Sequence, residues 1–249
     1  FEQYLDRVFP RFLSEKLWNY KDDLCMVGAE DLYCATGSES WREPVRRNAS
    51  FLMDDAGRVA NWVPGEHNID KVSFGKSMRI LRDVTGEARW AEGVERAYRI
   101  LADYPRTVTG NFWHKDIYPD QVWLDGLYMC QPFYMEYETR FHDKKNYDDI
   151  FQQFFNVEKN MRDPKTGLFY HAYDSSRAMF WCDKVTGLSQ NFWLRALGWF
   201  SMALLDTLDK ADASAAGESY EKLKQIFVEL MDAMLKYQDE SGMWYQVVN

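Results

Sequence analysis

Between residues 118 and 138 the chain reads YPDQVWLDGLYMCQPFYMEYE, and apolar side chains fall on every side of a helical projection: Val122, Trp123, Leu124, Leu127, Tyr128, Met129, Phe133, Tyr134 and Met135. Pro119-Asp120 in front of them is a helix-start signal. A helix without a polar face belongs in an interior. That makes Asp125, expected in its second turn, conspicuous, because burying an unpaired carboxylate costs several kcal/mol. Asp125 is therefore either well paired or functional.

Residues 189–209, SQNFWLRALGWFSMALLDTLD, repeat the design. When Trp123-Leu124-Asp125 is laid over Trp193-Leu194-Arg195, both stretches share an upstream Gln (Gln121, Gln190), a cap-like residue (Asp120, Ser189) and an apolar body. A third stretch, Asn68-Ile69-Asp70 running into KVSFGKSMRILRDVTG, falls on the same frame with Asp70 at the matched place. Three inner helices would then carry Asp, Asp and Arg at one level. The approach loops repeat as well. Gly110-Asn111-Phe112-Trp113-His114, Gly167-Leu168-Phe169-Tyr170-His171 and Gly242-Met243-Trp244-Tyr245-Gln246 are versions of one pattern, a glycine, two aromatics and a His or Gln. A repeat of roughly 55 to 75 residues is longer than the common solenoid units and fits a helical hairpin with a long loop.

The remaining pattern supplies the partners. Residues 2–16 place Leu5, Val8, Phe9, Phe12 and Leu13 on one stripe. Helices are expected over 21–36, 41–55 and 68–84, the last ended by Gly86. Residues 88–104 put Trp90, Val94, Ala97, Tyr98 and Leu101 on one face and charges on the other, the mark of an outer helix that stops at Pro105. Two further outer helices are expected near 146–161 and 218–238. Between them, strand-like pieces at 168–173 and 178–181 predict a small hairpin in the loop that carries His171. Inner and outer helices alternate, as a barrel of helical hairpins requires. The expected fold is all-α, an (α/α)6 barrel in a single domain over residues 1–249. Roughly nine helices are legible where six hairpins need about twelve. The chain is therefore expected to stop short of the full barrel at its C-terminus.

At 249 residues, with few Pro and Gly and no linker-like tract, one large domain is expected. A net charge of -9 argues against nucleic acid as a partner. A small acidic ligand held by one or two arginines remains compatible with it. No apolar run approaches the roughly 20 residues that span a bilayer, and compartment and oligomeric state stay open. Cys25, Cys34, Cys130 and Cys182 lack metal-like spacing and read as buried thiols. The four His and the acids show no ligand spacing either, so neither metal nor cofactor is expected. An aromatic share of 16%, with ten Trp, is well above ordinary; core packing accounts for most of the rings, and those near the repeated loops suit stacking against sugars.

The stretches FWHKDIYPDQVWLDGLYM and NFWLRALGWFSMALLD resemble the unsaturated rhamnogalacturonyl hydrolases, glycoside hydrolase family 105, with likeness running from about Trp18 to Tyr245. The resemblance implies the (α/α)6 barrel and an activity on a small unsaturated oligosaccharide, pectin-derived and made by lyases. Ordinary glycosidases set two carboxylates across the anomeric carbon. Members of this family instead hydrate the C4=C5 double bond of the terminal unsaturated uronic acid.

On this resemblance the catalytic acid falls on Asp125, whose apolar neighbours would raise its pKa. The alternative is that Asp125 merely pairs with Arg195 or caps a loop. Asp70 matches a second acidic position that holds sugar hydroxyls or orients water; as a plain alternative it favours a helix N-terminus. Arg195 matches the basic residue near the uronate, since its planar fork suits a carboxylate. His114 and His171 match pocket positions, the alternative being that they are satisfied loop residues, and Trp123 belongs to the matched motif. Trp193 and Trp199 lie six residues apart on different helix faces, so one of them is expected to floor the sugar. Tyr118 and Tyr20 complete the set. Two other readings stay open: an unsaturated glucuronyl hydrolase acting on glycosaminoglycan disaccharides, and a non-catalytic domain binding acidic oligosaccharide.

Overall fold

A computed structural model of the chain describes residues 20–43, 46, 53–59 and 62–248. The amphipathic segment 2–16 lies outside them. The described residues fall into two compact units, divided between Asp103 and Tyr104.

In the first unit, α1 (Tyr20–Thr36) opens with Asp22 and Asp23 in its first turn, where carboxylates favour the helix dipole. Gly37, at φ 70, ends it. After a 3-10 turn (Glu39–Trp41) come α2 (Ile69–Val72), α3 (Phe74–Thr85) and α4 (Ala88–Arg99). The helix expected over 68–84 is thus broken only at Ser73, whose backbone stays helical and whose Oγ donates to the Asp70 carbonyl at 2.8 Å. α3 packs against α1 and α4 and buries Phe74 to Met78 without interruption, as well as Ile80 and Leu81. By contrast, α4 buries one stripe of Trp90, Gly93, Val94 and Ala97. The inner and outer roles read from the pattern hold for this pair. The helix expected over 41–55 does not reach its far end: Met53 bridges Val59 across a turn in which Asp54 Oδ1 accepts from Ala56 N and Arg58 N. A local carboxylate satisfies the backbone there, with Gly57 left-handed at φ 73.

The second unit contains β1 (Gln121–Trp123), α5 (Leu124–Phe141), α6 (Tyr147–Met161), β2 (Ala172–Asp174), α7 (Leu194–Lys210), the short α8 (Ala213–Ala216) and α9 (Glu218–Leu235). Every residue of α5 from Leu124 to Glu138 is buried. α5 packs against α6 and α7, while α9 packs against α6 and α7. α6 and α9 bury a single stripe each, with Ile150, Phe154 and Val157 on one and Leu223, Ile226 and Leu230 on the other. α7 buries Ala196, Leu197, Phe200, Ala203 and Leu204 but leaves Met202 and Leu205 exposed, so its apolar body is not covered on every side. At the far end, Glu138 is fully buried and accepts from Asn146 N at 3.1 Å and Asn146 Nδ2 at 2.8 Å, with His142 Nδ1 2.9 Å away.

Several further sequence expectations are corrected. Pro119-Asp120 does not start a helix: Asp120 is left-handed at φ 61, and Gln121–Trp123 form a strand paired antiparallel with Ala172–Asp174. Asp120 and Ser189 are accordingly not caps; Trp123 and Trp193 hold those positions, and Asp125 sits in the first turn of its helix instead of the second. The hairpin expected from 168–173 and 178–181 is absent among the described residues, because the first piece spends its edge on β1. Of the four thiols, Cys130 and Cys182 are buried, whereas Cys34 is exposed.

Candidate active site at the N-terminal ends of α5 and α7

The repeated frame survives down to single positions. Asn68, Trp123 and Trp193 are the N-cap residues of α2, α5 and α7; Ile69, Leu124 and Leu194 follow; Asp70, Asp125 and Arg195 come second in their helices. The glycines that open the three loop motifs, Gly110, Gly167 and Gly242, all have φ between 79 and 92. Each closes a tight turn, donating its N–H to Thr107, Asp163 or Asp239 at 2.9 to 3.0 Å. Only glycine adopts that backbone without strain.

The loops then serve the helices. A helix leaves its first N–H groups without internal partners. The first N–H of α5, on Leu124, donates to His171 O at 3.1 Å, and that of α7, on Leu194, donates to Gln246 O at 2.9 Å. In both cases the acceptor is the last residue of a repeated motif, and the next residue pairs with the N-cap Trp: Ala172 with Trp123, Val247 with Trp193. Each inner helix of this unit therefore starts on a strand-like rung supplied by the following loop. His114 N donates to Gln121 O at 2.8 Å, which binds the preceding loop to the same rung.

This construction sets Asp125 against Arg195. Arg195 Nη1 is 2.9 Å from Asp125 Oδ1; the Asp125 side chain is 10% exposed and the Arg195 side chain 43%. The Arg195 guanidinium also lies 3.8 Å over the Trp193 ring, a cation-π contact that holds its plane. His171 meets the same ring edge-on at 5.9 Å, its Nδ1 3.2 Å from Asn191 O. In the segment before Asp125, three rings lie nearly parallel: His114 to Trp123 at 4.7 Å and 3°, Tyr118 to Trp123 at 5.3 Å and 11°, and His114 to Tyr118 at 6.3 Å. Trp123 Nε1 donates to Gln121 Oε1 at 3.0 Å, which fixes the central ring. One turn further in, Tyr128 and Trp199 meet at 5.0 Å. They follow Asp125 by three residues and Arg195 by four, the spacing of one helix face.

The second unit thus brings together Asp125, Arg195, Trp193, His171, Trp123, His114 and Tyr118, with Trp199 beneath. Tyr20 and Asp70 belong to the first unit, at the first residue of α1 and the second of α2. The loop with His114 is anchored from behind: Gln153, on α6, accepts from Phe112 N at 3.0 Å and donates to Gly110 O at 3.0 Å, and its carbonyl accepts from Asn111 Nδ2 at 2.9 Å. No periodicity singles out Gln153, whose only sequence signal is a polar residue on the apolar face of an outer helix. Gln121 was visible as the glutamine shared with Gln190; its contact with Trp123 was not.

Beside the buried carboxyl, a partly exposed arginine can engage a second anion with its remaining N–H groups. The stacked rings of His114, Tyr118 and Trp123 add aromatic surface immediately before α5. The model of Glycosyl Hydrolase Family 88 matches residues 2–249.

The chain belongs to that family.

Unsaturated rhamnogalacturonyl hydrolase YesR of Bacillus subtilis is 25% identical over 252 residues, covering 98% of this chain and 69% of that protein. A family 105 glycoside hydrolase structure from Clostridium acetobutylicum is 37% identical, with a TM-score of 0.90 over 93% of this chain. An unsaturated glucuronyl hydrolase from Bacillus sp. GL1, responsible for glycosaminoglycan degradation, superposes with a TM-score of 0.64 over 92% of the chain, at 14% identity, and shows the fold alone. The family 88 chain spans 64% of the Clostridium structure and 59% of the GL1 structure. The all-α fold class, that of the helical-barrel hydrolases, is shown, as is the likeness to family 105 read from the two motifs. Among the described residues no helix is long and apolar enough to cross a membrane.

Proposed function

We propose that this family 88 chain removes the unsaturated uronic acid from the non-reducing end of rhamnogalacturonan oligosaccharides by hydrating its C4=C5 double bond. The observation that carries the reading is the contact of Asp125, nearly buried, with Arg195, half exposed. The likeness to the hydrolase YesR, which covers nearly the whole chain, supports the choice of sugar.

Arg195 receives the uronate carboxylate on the N–H groups that face solvent, while the parallel rings of Trp123, His114 and Tyr118 flank the sugar. Sharing the guanidinium with a second anion weakens its hold on Asp125, and the apolar surroundings then favour the protonated carboxyl. Asp125 donates that proton to C4 as the π electrons form the new C–H bond. The positive charge left at C5 is relieved by the ring oxygen, water adds there, and its proton returns to Asp125. The resulting hemiketal opens to a C5 ketone, and the hemiacetal exposed at C1 releases the remaining saccharide as an alcohol. One water is consumed overall. The role differs from that of paired glycosidase carboxylates, because nothing attacks the anomeric carbon.

Reaction in deuterium oxide tests the chemistry: nuclear magnetic resonance of the product should show one deuterium at C4 and an open-chain ketone. A released sugar that retains its double bond would mean direct glycosidic cleavage and would overturn the reading.

A further inference from the structure

Residues 175–187 leave β2 and return beside it, with Asp174 N donating to Gly187 O at 2.9 Å and Tyr173 bridging Leu188. Compact surface loops with clasped ends are frequently functional. This one is rigidly built. Asp174, itself buried, accepts from Ser176 N at 2.9 Å, Ser176 Oγ at 2.6 Å and Met179 N at 2.8 Å. Lys184 Nζ closes the other side on the carbonyls of Arg177 at 3.2 Å, Ala178 at 3.1 Å and Met179. Within that frame the Phe180 ring is 89% exposed. A fixed backbone that holds a bare aromatic in water presents the ring instead of hiding it.

The loop is also tied to the site. Ser175 donates to Asp120 O through N at 3.0 Å and through Oγ at 3.1 Å. Asp120 lies between Tyr118 and Trp123, two of the three parallel rings. The chain then leaves the loop for Trp193 and Arg195. The loop is therefore attached to both segments that supply the candidate site.

We propose that Phe180 is the stacking platform for the sugar attached to the uronate and so helps to determine specificity. The inference rests on the reading that the end with Asp125 and Arg195 takes the uronate. A ring without a polar atom favours a sugar with an apolar face, such as a 6-deoxyhexose with its methyl group, over one bearing charge.

The test compares the parent, Phe180→Ala and Phe180→Trp on two substrates: an unsaturated uronyl-6-deoxyhexose disaccharide and the methyl glycoside of the same unsaturated uronate, which has no second sugar. Phe180→Ala is expected to raise KM for the disaccharide about tenfold, the loss of one stacking contact, with kcat within about twofold. Phe180→Trp should restore KM, and the methyl glycoside should show no comparable rise. Val185→Ala, 76% exposed on the same loop, serves as the control. An active parent whose Phe180→Ala variant changes neither substrate, or both equally, overturns the role of Phe180 alone. A parent that consumes neither substrate overturns the hydration reading and this inference with it.

Discussion

Arg195 Nη1 stands 2.9 Å from Asp125 Oδ1, joining the second residues of two facing inner helices. The two partners have different surroundings, and their loss should differ accordingly. Asp125→Asn keeps shape and removes the proton, so kcat should fall by roughly 10² to 10⁴, the usual worth of a general acid. Arg195→Gln removes a carboxylate clamp and should act mainly on KM, raising it about tenfold or more. Steady-state kinetics on the unsaturated disaccharide separates the two; equal effects on kcat and KM in both variants would contradict the assignment.

Gln153 supports the site from α6. Its amide satisfies Phe112 N–H and Gly110 O inside the protein, and a buried group left unsatisfied costs about 1–3 kcal/mol. Gln153→Leu should therefore lower the unfolding free energy by about that amount in a denaturant titration. KM should rise as well, because the released loop continues into Trp113 and His114.

Gly187 allows the loop over residues 175–187 to close. A Cβ at this position would lie 2.4 Å from Asp174 O and 2.9 Å from the Tyr173 ring, at φ +80. Gly187→Ala must shift the backbone, at a cost on the order of 1–3 kcal/mol. Limited proteolysis should cut residues 175–187 faster in the variant, whereas Val185→Ala should leave the cutting rate unchanged.

The same loop should respond to acid. Burial works to raise the Asp174 carboxyl, but hydrogen bonds from the Ser176 hydroxyl and from the Met179, Ser176 and Ala178 N–H groups outweigh it and hold it below the ordinary value of 3.8. A carboxyl depressed in the folded state contributes stability above its unfolded value and loses it as pH falls through the folded one. Amide-exchange protection factors in residues 175–187, corrected for the intrinsic pH dependence of exchange, should thus be high near neutrality and fall below about pH 4. Asp174→Asn should flatten that dependence.

In the first unit, Lys76 Nζ lies 3.2 Å from Asp23 Oδ2, with both side chains under a tenth exposed. Burial pushes the Asp23 carboxyl up, against the charge of Lys76 and the hydrogen bond from Ser77. Lys76→Met alone would leave a carboxylate buried without its counterion, which costs about 3–5 kcal/mol. Combining it with Asp23→Asn should recover most of that loss, as thermal or denaturant unfolding of the single and double variants would show.

The helices and their roles were legible because burial leaves a periodic trace: an apolar body for α5, a stripe for α4, α6 and α9. The matched frame of Asp70, Asp125 and Arg195 was legible as well, since each occupies the second position of a helix after a shared cap site. What the pattern could not show lies where long-range partners override local signals. Pro119-Asp120 reads as a helix start, yet the three residues after it pair with Ala172–Asp174, a partner some fifty residues away that no local pattern reveals. Asp54 falls inside a predicted helix, yet its side chain bonds its own turn. The stack of His114, Tyr118 and Trp123, like the support from Gln153, depends on loop geometry alone.

The central claim is tested most directly by the ultraviolet absorbance of the conjugated uronate in lyase-generated rhamnogalacturonan disaccharide, followed with the parent and with Asp125→Asn. The account predicts loss of the band with the parent and a persistent band with the variant. A band that persists with the parent, or decays equally fast with both proteins, would contradict it.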